Sequence, residues 1–287
     1  MVLNCIFKTA FLPARKSTLL MSVLMLIFFT GCTPEIKLAK TYVKTFNKIP
    51  ALVFMPKMVF KYNLKTDSID LTGLSDAEKD SLLWFNSDFI QYIDDSLFIS
   101  SYQHGYLTAL KQYGIIPFTE KNMDDFFAND SGGFVVNVAQ IELEEQYYPY
   151  VDEMNLDGIT YSHHHLLNAL DVSSWFELKF VDNPDTTETL FAETMLTDDF
   201  EGFFEQNPFS LKIQYFYHLD SLTVEKIYNY ADDLGKIYAS YTYDYLLNKY
   251  LKANLSATGE FNGYLHYDPV KKAFIFAGDD RFVPLDE

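Results

Sequence analysis

The strongest constraint on the fold is the periodicity of residues 224–250. Val224, Ile227, Ala231, Leu234, Tyr238, Tyr241 and Tyr245 recur at steps of three and four. That spacing puts them on one face of an α-helix. It predicts an amphipathic helix of ~27 residues, ~40 Å long. A single apolar stripe of that length needs a broad partner surface, and a sheet supplies one.

The rest of the chain supplies strands for such a sheet. Residues 51–64 read as extended, with Leu52, Phe54, Met58, Phe60 and Tyr62 on one parity. Ser75-Asp76-Ala77-Glu78 is a capping box that opens a helix. A second helix is expected over 95–113, with Gly114 just past its end. Thr119 can cap a short helix to Ala128. A strand is expected over 134–145, with Asn137, Ala139, Ile141 and Leu143 on one face, and another over 160–170. Phe176, Leu178 and Phe180 alternate with Glu177 and Lys179; the chain turns at Asp182-Asn183-Pro184-Asp185 and returns over 189–195, an antiparallel hairpin. Two short strands are expected in 263–283. The fold class is therefore α+β: a mainly antiparallel sheet with helices on one face, including the long helix near 224–250. The expected organisation is a leader at 1–31, a tether at 32–48, a globular domain at 49–255 and a C-terminal β appendage at 256–287.

The leader carries Lys8, Arg15 and Lys16 and no acidic residue. An apolar run from Leu19 to Phe29 follows. It is too short to span a bilayer, which takes roughly 20 residues, and it has the layout of a secretory signal. It ends in Phe29-Thr30-Gly31-Cys32, which resembles the lipobox of bacterial lipoproteins; Phe29 departs from the commoner leucine. The resemblance implies lipid attachment at Cys32, cleavage just before it, and residence on a membrane. Thr33-Pro34-Glu35 lacks the aspartate that often marks inner-membrane retention, so the expected address is the outer membrane, on either its periplasmic or its surface face. Removing the leader leaves 19 basic residues against 40 acidic ones, a charge of −21. So acidic a body is repelled by anionic lipid and would be held by its acyl chains.

Composition narrows the function classes. A net charge of −18 argues against nucleic acid as a partner. Cys5 leaves with the leader, so the mature chain has no second cysteine for a disulfide. No GxSxG, GxxxxGK[ST] or GxGxxG occurs, and no cofactor is called for. The acidic doublets at 94–95, 124–125, 198–199, 232–233 and 279–280 read as solvated surface and helix ends; glycoside hydrolysis would need a fixed spatial pair of carboxylates. Among His163-His164-His165, strand alternation puts only His163 and His165 on one side. They are weak metal candidates without a third ligand from His218 or His266. Tyr147, Tyr148 and Tyr150 sit in a turn-like segment and form the candidate interaction surface. Five Asp-Ser/Thr pairs, among them Asp80-Ser81 and Asp220-Ser221, resemble the O-glycosylation motif of some Gram-negative envelope proteins, although both residue types also serve as helix caps. By element order alone, the outline resembles the small periplasmic domains of envelope-assembly lipoproteins. The expectation is a non-enzymatic envelope lipoprotein that binds a protein partner in envelope assembly or maintenance. The alternatives are a ligand- or glycan-binding lipoprotein and a carboxylate-dependent hydrolase.

Overall fold

Residues 134–180 form one long β-hairpin, and the rest of the molecule is arranged around it. The computed structural model describes residues 34–66, 69–129, 132–255, 263–278 and 281–285. In chain order the elements are α1 (Pro34–Thr45), β1 (Pro50–Phe54), β2 (Phe60–Asn63), α2 (Asp76–Phe85), α3 (Asp95–Gln112), β3 (Ile116–Phe118), α4 (Met123–Phe127), β4 (Phe134–Leu156), β5 (Ile159–Phe180), β6 (Asn183–Thr197), β7 (Asp199–Gln206), β8 (Ile213–Asp220), α5 (Val224–Leu255), β9 (Leu265–Asp268), β10 (Ala273–Phe276) and β11 (Val283–Pro284). Short 3-10 turns cover Ile90–Tyr92 and Glu120–Asn122. The class is α+β, as the sequence indicates.

The main sheet runs β11-β6-β5-β4-β1-β3, with β2 also on β4. The pairings among β4, β5, β6 and β11 are antiparallel. β1 and β2 lie parallel to β4, and β3 lies parallel to β1. The β4–β5 turn is Asp157-Gly158, both at positive φ (52° and 78°). This is the backbone handedness that a two-residue hairpin turn demands. The hairpin expected over 175–195 is present as β5–β6.

A β-bulge between Val138 and Gln140 changes the face reading of β4. Val136 and Val138 are buried, and so are Ile141 and Leu143. Strict alternation would not bury both pairs on one face. The extra residue resets the parity, so Asn137 and Ala139 turn away from the core.

α5 lies over this face, with Ile227, Ala231, Leu234, Tyr238 and Leu247 fully buried. It runs 32 residues, longer than its sequence periodicity indicates. α3 packs directly on it. A Cβ added at Gly105 would sit 1.8 Å from the Asp232 carbonyl oxygen, and one at Gly235 would sit 2.1 Å from that of Tyr102. Backbone therefore touches backbone where the two helices meet.

Two expectations about the chain ends need correcting. Residues 34–45 are not a tether. They form α1, which buries Ala39 and Tyr42, and the Tyr42 ring lies 5.7 Å from Tyr243 of α5. The C-terminal strands are not an appendage. Leu265 and Tyr267 of β9 are buried against α5, Asn248 Nδ2 donates to the Leu265 carbonyl at 2.7 Å, and β11 extends the main sheet beside β6. In both segments the surface that buries the apolar residues is supplied by α5, which lies far away in sequence, so their docking is not visible locally. The expected lipid site, Cys32, and the leader lie outside the described residues.

Candidate functional site: a projecting β arm

The far half of the β4–β5 hairpin leaves the sheet. β2 accompanies β4 only as far as Glu145, and β6 accompanies β5 only from Ala169. Beyond those points residues 146–156 and 159–168 pair only with each other among the described residues. Ten residues of strand reach ~33 Å. The β7–β8 hairpin, itself a separate two-stranded sheet, lies on one face of this projection. Together the two hairpins make an arm.

Aromatic rings join the two layers. His163 stacks on Tyr215 at 4.0 Å, and His165 lies 4.2 Å from Phe200 and 4.6 Å from Tyr217. Tyr150 packs on Phe200 at 5.0 Å. The Tyr215 hydroxyl donates to Asp152 Oδ2 at 3.0 Å. Desolvation, followed by that carboxylate, pushes the Tyr215 pKa up to about 12. His165 Nε2 is buried without a hydrogen-bond partner. Burial, helped by neighbouring His163, lowers the His165 pKa.

The arm is fixed at its base by a buried polar chain. Glu145 accepts from the backbone N–H groups of Asp88, Phe89 and Ile90 at 2.7–3.1 Å. Lys65 Nζ reaches Glu145 at 2.9 Å, Asp88 at 2.5 Å and Asn168 Oδ1 at 2.8 Å. Asn168 in turn donates from N–H and Nδ2 to Asp198, which also accepts from Leu222 N–H at 2.6 Å. Desolvation pulls the Lys65 pKa down, but the Asp88 and Glu145 carboxylates more than offset it and the net shift is upward.

The outward faces are apolar and acidic. Val151 and Leu166, on the face away from β7–β8, are 44% and 59% exposed. Phe203 and Phe216 stack at 5.7 Å on the outside of the second hairpin, and Phe209 at its tip is 97% exposed. Around them stand the exposed Glu153, Asp157, Asp199, Glu201 and Glu205, with Lys212 the only lysine or arginine in 146–168 and 199–220, while Asp152 faces Tyr215 and Asp220 pairs with Lys226.

The tyrosine trio does not form one surface. Tyr147, Tyr148 and Tyr150 lie within β4, not in a turn. Strand alternation sends Tyr147 to the other face, where its ring sits 4.7 Å from Lys65 Nζ. His163 and His165 do share a side, as expected, with rings 4.6 Å apart. They face Tyr215 and Tyr217, and no cluster of three or more His, Cys, Asp or Glu residues is placed to hold a metal among the described residues. His218 has the opposite parity on β8 and registers with Glu201. His266 binds Asp244 at 2.6 Å.

The acidic doublets have structural duties. Asp94 caps α3 by accepting from Leu97 N–H, and Asp95 pairs with Lys61. Asp232 holds His104 and Lys236. Asp124 and Asp125 are exposed on α4, and 279–280 lies outside the described residues. The β7–β8 hairpin escaped the sequence reading, although Phe203-Phe204 and Tyr215-Phe216-Tyr217 flank an Asn207-Pro208 turn signal. No known family model matches the chain, and no curated protein matches it significantly.

Proposed function

We propose that this chain is a lipoprotein of the bacterial outer membrane, anchored through Cys32, whose β arm docks a protein partner in envelope assembly or maintenance. The observation that carries the docking is the arm itself: a two-hairpin projection with Val151, Leu166, Phe203 and Phe209 turned to solvent. Apolar patches rimmed by charge mark association surfaces. Five exposed carboxylates, Glu153, Asp157, Asp199, Glu201 and Glu205, against Lys212 favour a partner face that is basic. The anchor rests on the lipobox resemblance. The proposed role is binding and not catalysis, with His163, His165 and Asp152 of the arm spent on packing its two layers.

A photo-crosslinking amino acid at position 166 or 151, in cells expressing the full chain, tests this. The expected result is one discrete adduct that is lost when Cys32→Ser removes the anchor. No adduct, or an adduct equally strong without the anchor, overturns the reading.

A further inference from the structure

Along the arm, the outer edge of β5 is open. Asn168 fixes which of its residues face that edge. Its N–H donates to Asp198 Oδ2 at 2.8 Å, and its carbonyl accepts from Asp198 N–H at 2.9 Å. Asn168 therefore turns its backbone groups away from β4. In an antiparallel pair every second residue does the same, so Thr160, Ser162, His164 and Leu166 point theirs outward too. All four are exposed, and among the described residues no strand and no side chain meets those groups. Asp198 closes the open stretch at one end, and the Asp157-Gly158 turn ends it at the other.

The arm's other edge is guarded, and this one is not. Across the hairpin from these four residues stand Asn155, Glu153, Val151 and Pro149, whose backbone groups point outward from β4. Pro149 has no N–H to offer and Glu153 is charged. Both are devices that keep an edge from pairing. Residues 158–170, by contrast, hold no Asp, Glu, Lys or Arg, in a chain with 40 acidic residues. An unguarded edge of this kind is a template for another strand.

Symmetry and charge select the strand. The four outward residues are spaced evenly about His163. An antiparallel copy of β5 centred there sets Thr160 against Leu166 of the second copy and Ser162 against its His164, and the reverse. Every open group is then met, by about eight hydrogen bonds. A shift of two residues either way would strand part of the set against Asn168, which is already closed, or against the turn. The contact uses the same patch on both subunits, which is the isologous form of a two-fold dimer. Its axis is normal to the sheet, so the two bodies lie beyond opposite ends of the joined strands. Like charges placed opposite each other destabilise a ladder. On a body of −18 this uncharged stretch is where a copy can approach without opposing carboxylates. A two-stranded ribbon is marginal in water, and pairing makes it four-stranded.

We propose that the free edge of β5 over residues 160–166 is a dimer interface, to which a second copy of the chain adds its own β5 antiparallel about a two-fold axis at His163. The pairing uses the backbone of β5 and not the Val151, Phe203 and Phe209 surface. It holds or fails independently of the docking role of the arm.

The test is sedimentation of the full chain in mild detergent across a range of concentrations, with amide exchange read residue by residue. The expected result is a monomer–dimer equilibrium. Thr160, Ser162, His164 and Leu166 amides should exchange freely in the monomer and slowly in the dimer, while those of Tyr161, His163 and His165 are protected in both. Ser162→Pro removes only an outward N–H, as Pro149 does on β4, and should raise the dimer dissociation constant by about tenfold or more, the worth of two lost hydrogen bonds. Glu153→Pro, the matched change on the other edge, should leave it unchanged, and so should Phe209→Asp on the docking surface. His163→Cys supplies a second readout. Residues facing each other across a non-hydrogen-bonded pair have Cα atoms about 4.5 Å apart, within disulfide reach, so mild oxidation should join the two substituted positions, as identified by peptide mass. A monomer at every soluble concentration overturns the proposal. So does open-ended aggregation, or a dimer that survives Ser162→Pro with the four outward amides still exchanging freely.

Discussion

Lys65 Nζ lies 2.9 Å from Glu145 Oε1, and both side chains are buried. The pair sits where the β4–β5 hairpin leaves the sheet. Three backbone N–H groups also point at the Glu145 carboxylate, so the two partners are not equivalent. Glu145→Ala leaves three N–H donors without their acceptor and reduces the buried Lys65 ammonium to Asp88 and Asn168, and should destabilise the fold by about 3–5 kcal/mol. Lys65→Met leaves the carboxylate its N–H donors and should cost less. Urea unfolding of both variants checks the order; equal losses would contradict it.

The histidine layer of the arm should respond to acid. The His165 pKa is lowered by burial and by His163, so the folded arm favours the neutral ring. A depressed histidine contributes stability that is present above its unfolded pKa of about 6.5 and is lost as pH falls through the folded value. Amide protection in β7–β8, corrected for intrinsic exchange, should drop as the pH goes from about 7.5 to 5. His165→Phe should flatten the profile.

The C-terminal hairpin should respond in the opposite sense. The His266 pKa is raised by its hydrogen bond to Asp244, against desolvation and with help from the Asp244 and Asp268 charges. A raised histidine contributes stability that is fully present below about pH 6.5 and is lost as pH rises through the folded value. Protection at Tyr267, whose N–H donates to Asp244 at 3.0 Å, should therefore fall with rising pH in the wild type. His266→Gln should remove that dependence. Opposite slopes in one molecule separate local titration from any global change in charge.

Gly105 should not accept a side chain. Alanine gains about 1 kcal/mol of helix propensity over glycine, but its Cβ would lie 1.8 Å from the Asp232 carbonyl oxygen. That atom belongs to the α5 backbone and cannot rotate away. Overpacking of this kind costs about 1–3 kcal/mol, occasionally more. Gly105→Ala should lower the urea midpoint, and an unchanged or raised midpoint would show that α3 and α5 separate freely.

The elements with strong local signals were legible in the sequence. The capping box at Ser75 forms, with Ser75 N–H donating to Glu78 Oε2 at 2.8 Å. Gly114 takes a positive φ just past α3, and the periodic stretch from Val224 is a helix. The arm was not legible, for physical reasons. Tyr147 to Tyr150 holds a proline among tyrosines and reads as a turn, while its cross-strand partners His165 to Asn168 lie beyond an intervening hairpin tip. The informative signal is Asp157-Gly158, a dipeptide that favours a two-residue hairpin turn and joins the strands expected over 134–145 and 160–170. The bulge at Val138 has no local signature, because only pairing with β5 reveals it. The docking of α1 depends on Tyr42 finding Tyr243 and Tyr250, some two hundred residues downstream, and no window along the chain contains that contact.

The proposed anchor has a consequence for how the membrane holds this body. α1 starts at Pro34 and is packed on α5, so only Thr33 separates Cys32 from a folded element. Two residues of chain span at most ~7 Å, which puts the globular domain against the headgroups and not on a long leash. At −21 after leader removal, that contact is repulsive toward anionic lipid. The acyl chains alone must then hold the protein, at ~0.8 kcal/mol per buried CH₂. Cys32→Ser should abolish lipid labelling and move the protein from the membrane to the soluble fraction, and unchanged labelling would refute the anchor. A high-salt wash should leave the wild type on the membrane. Release by salt would instead mean that charge, not lipid, is the attachment.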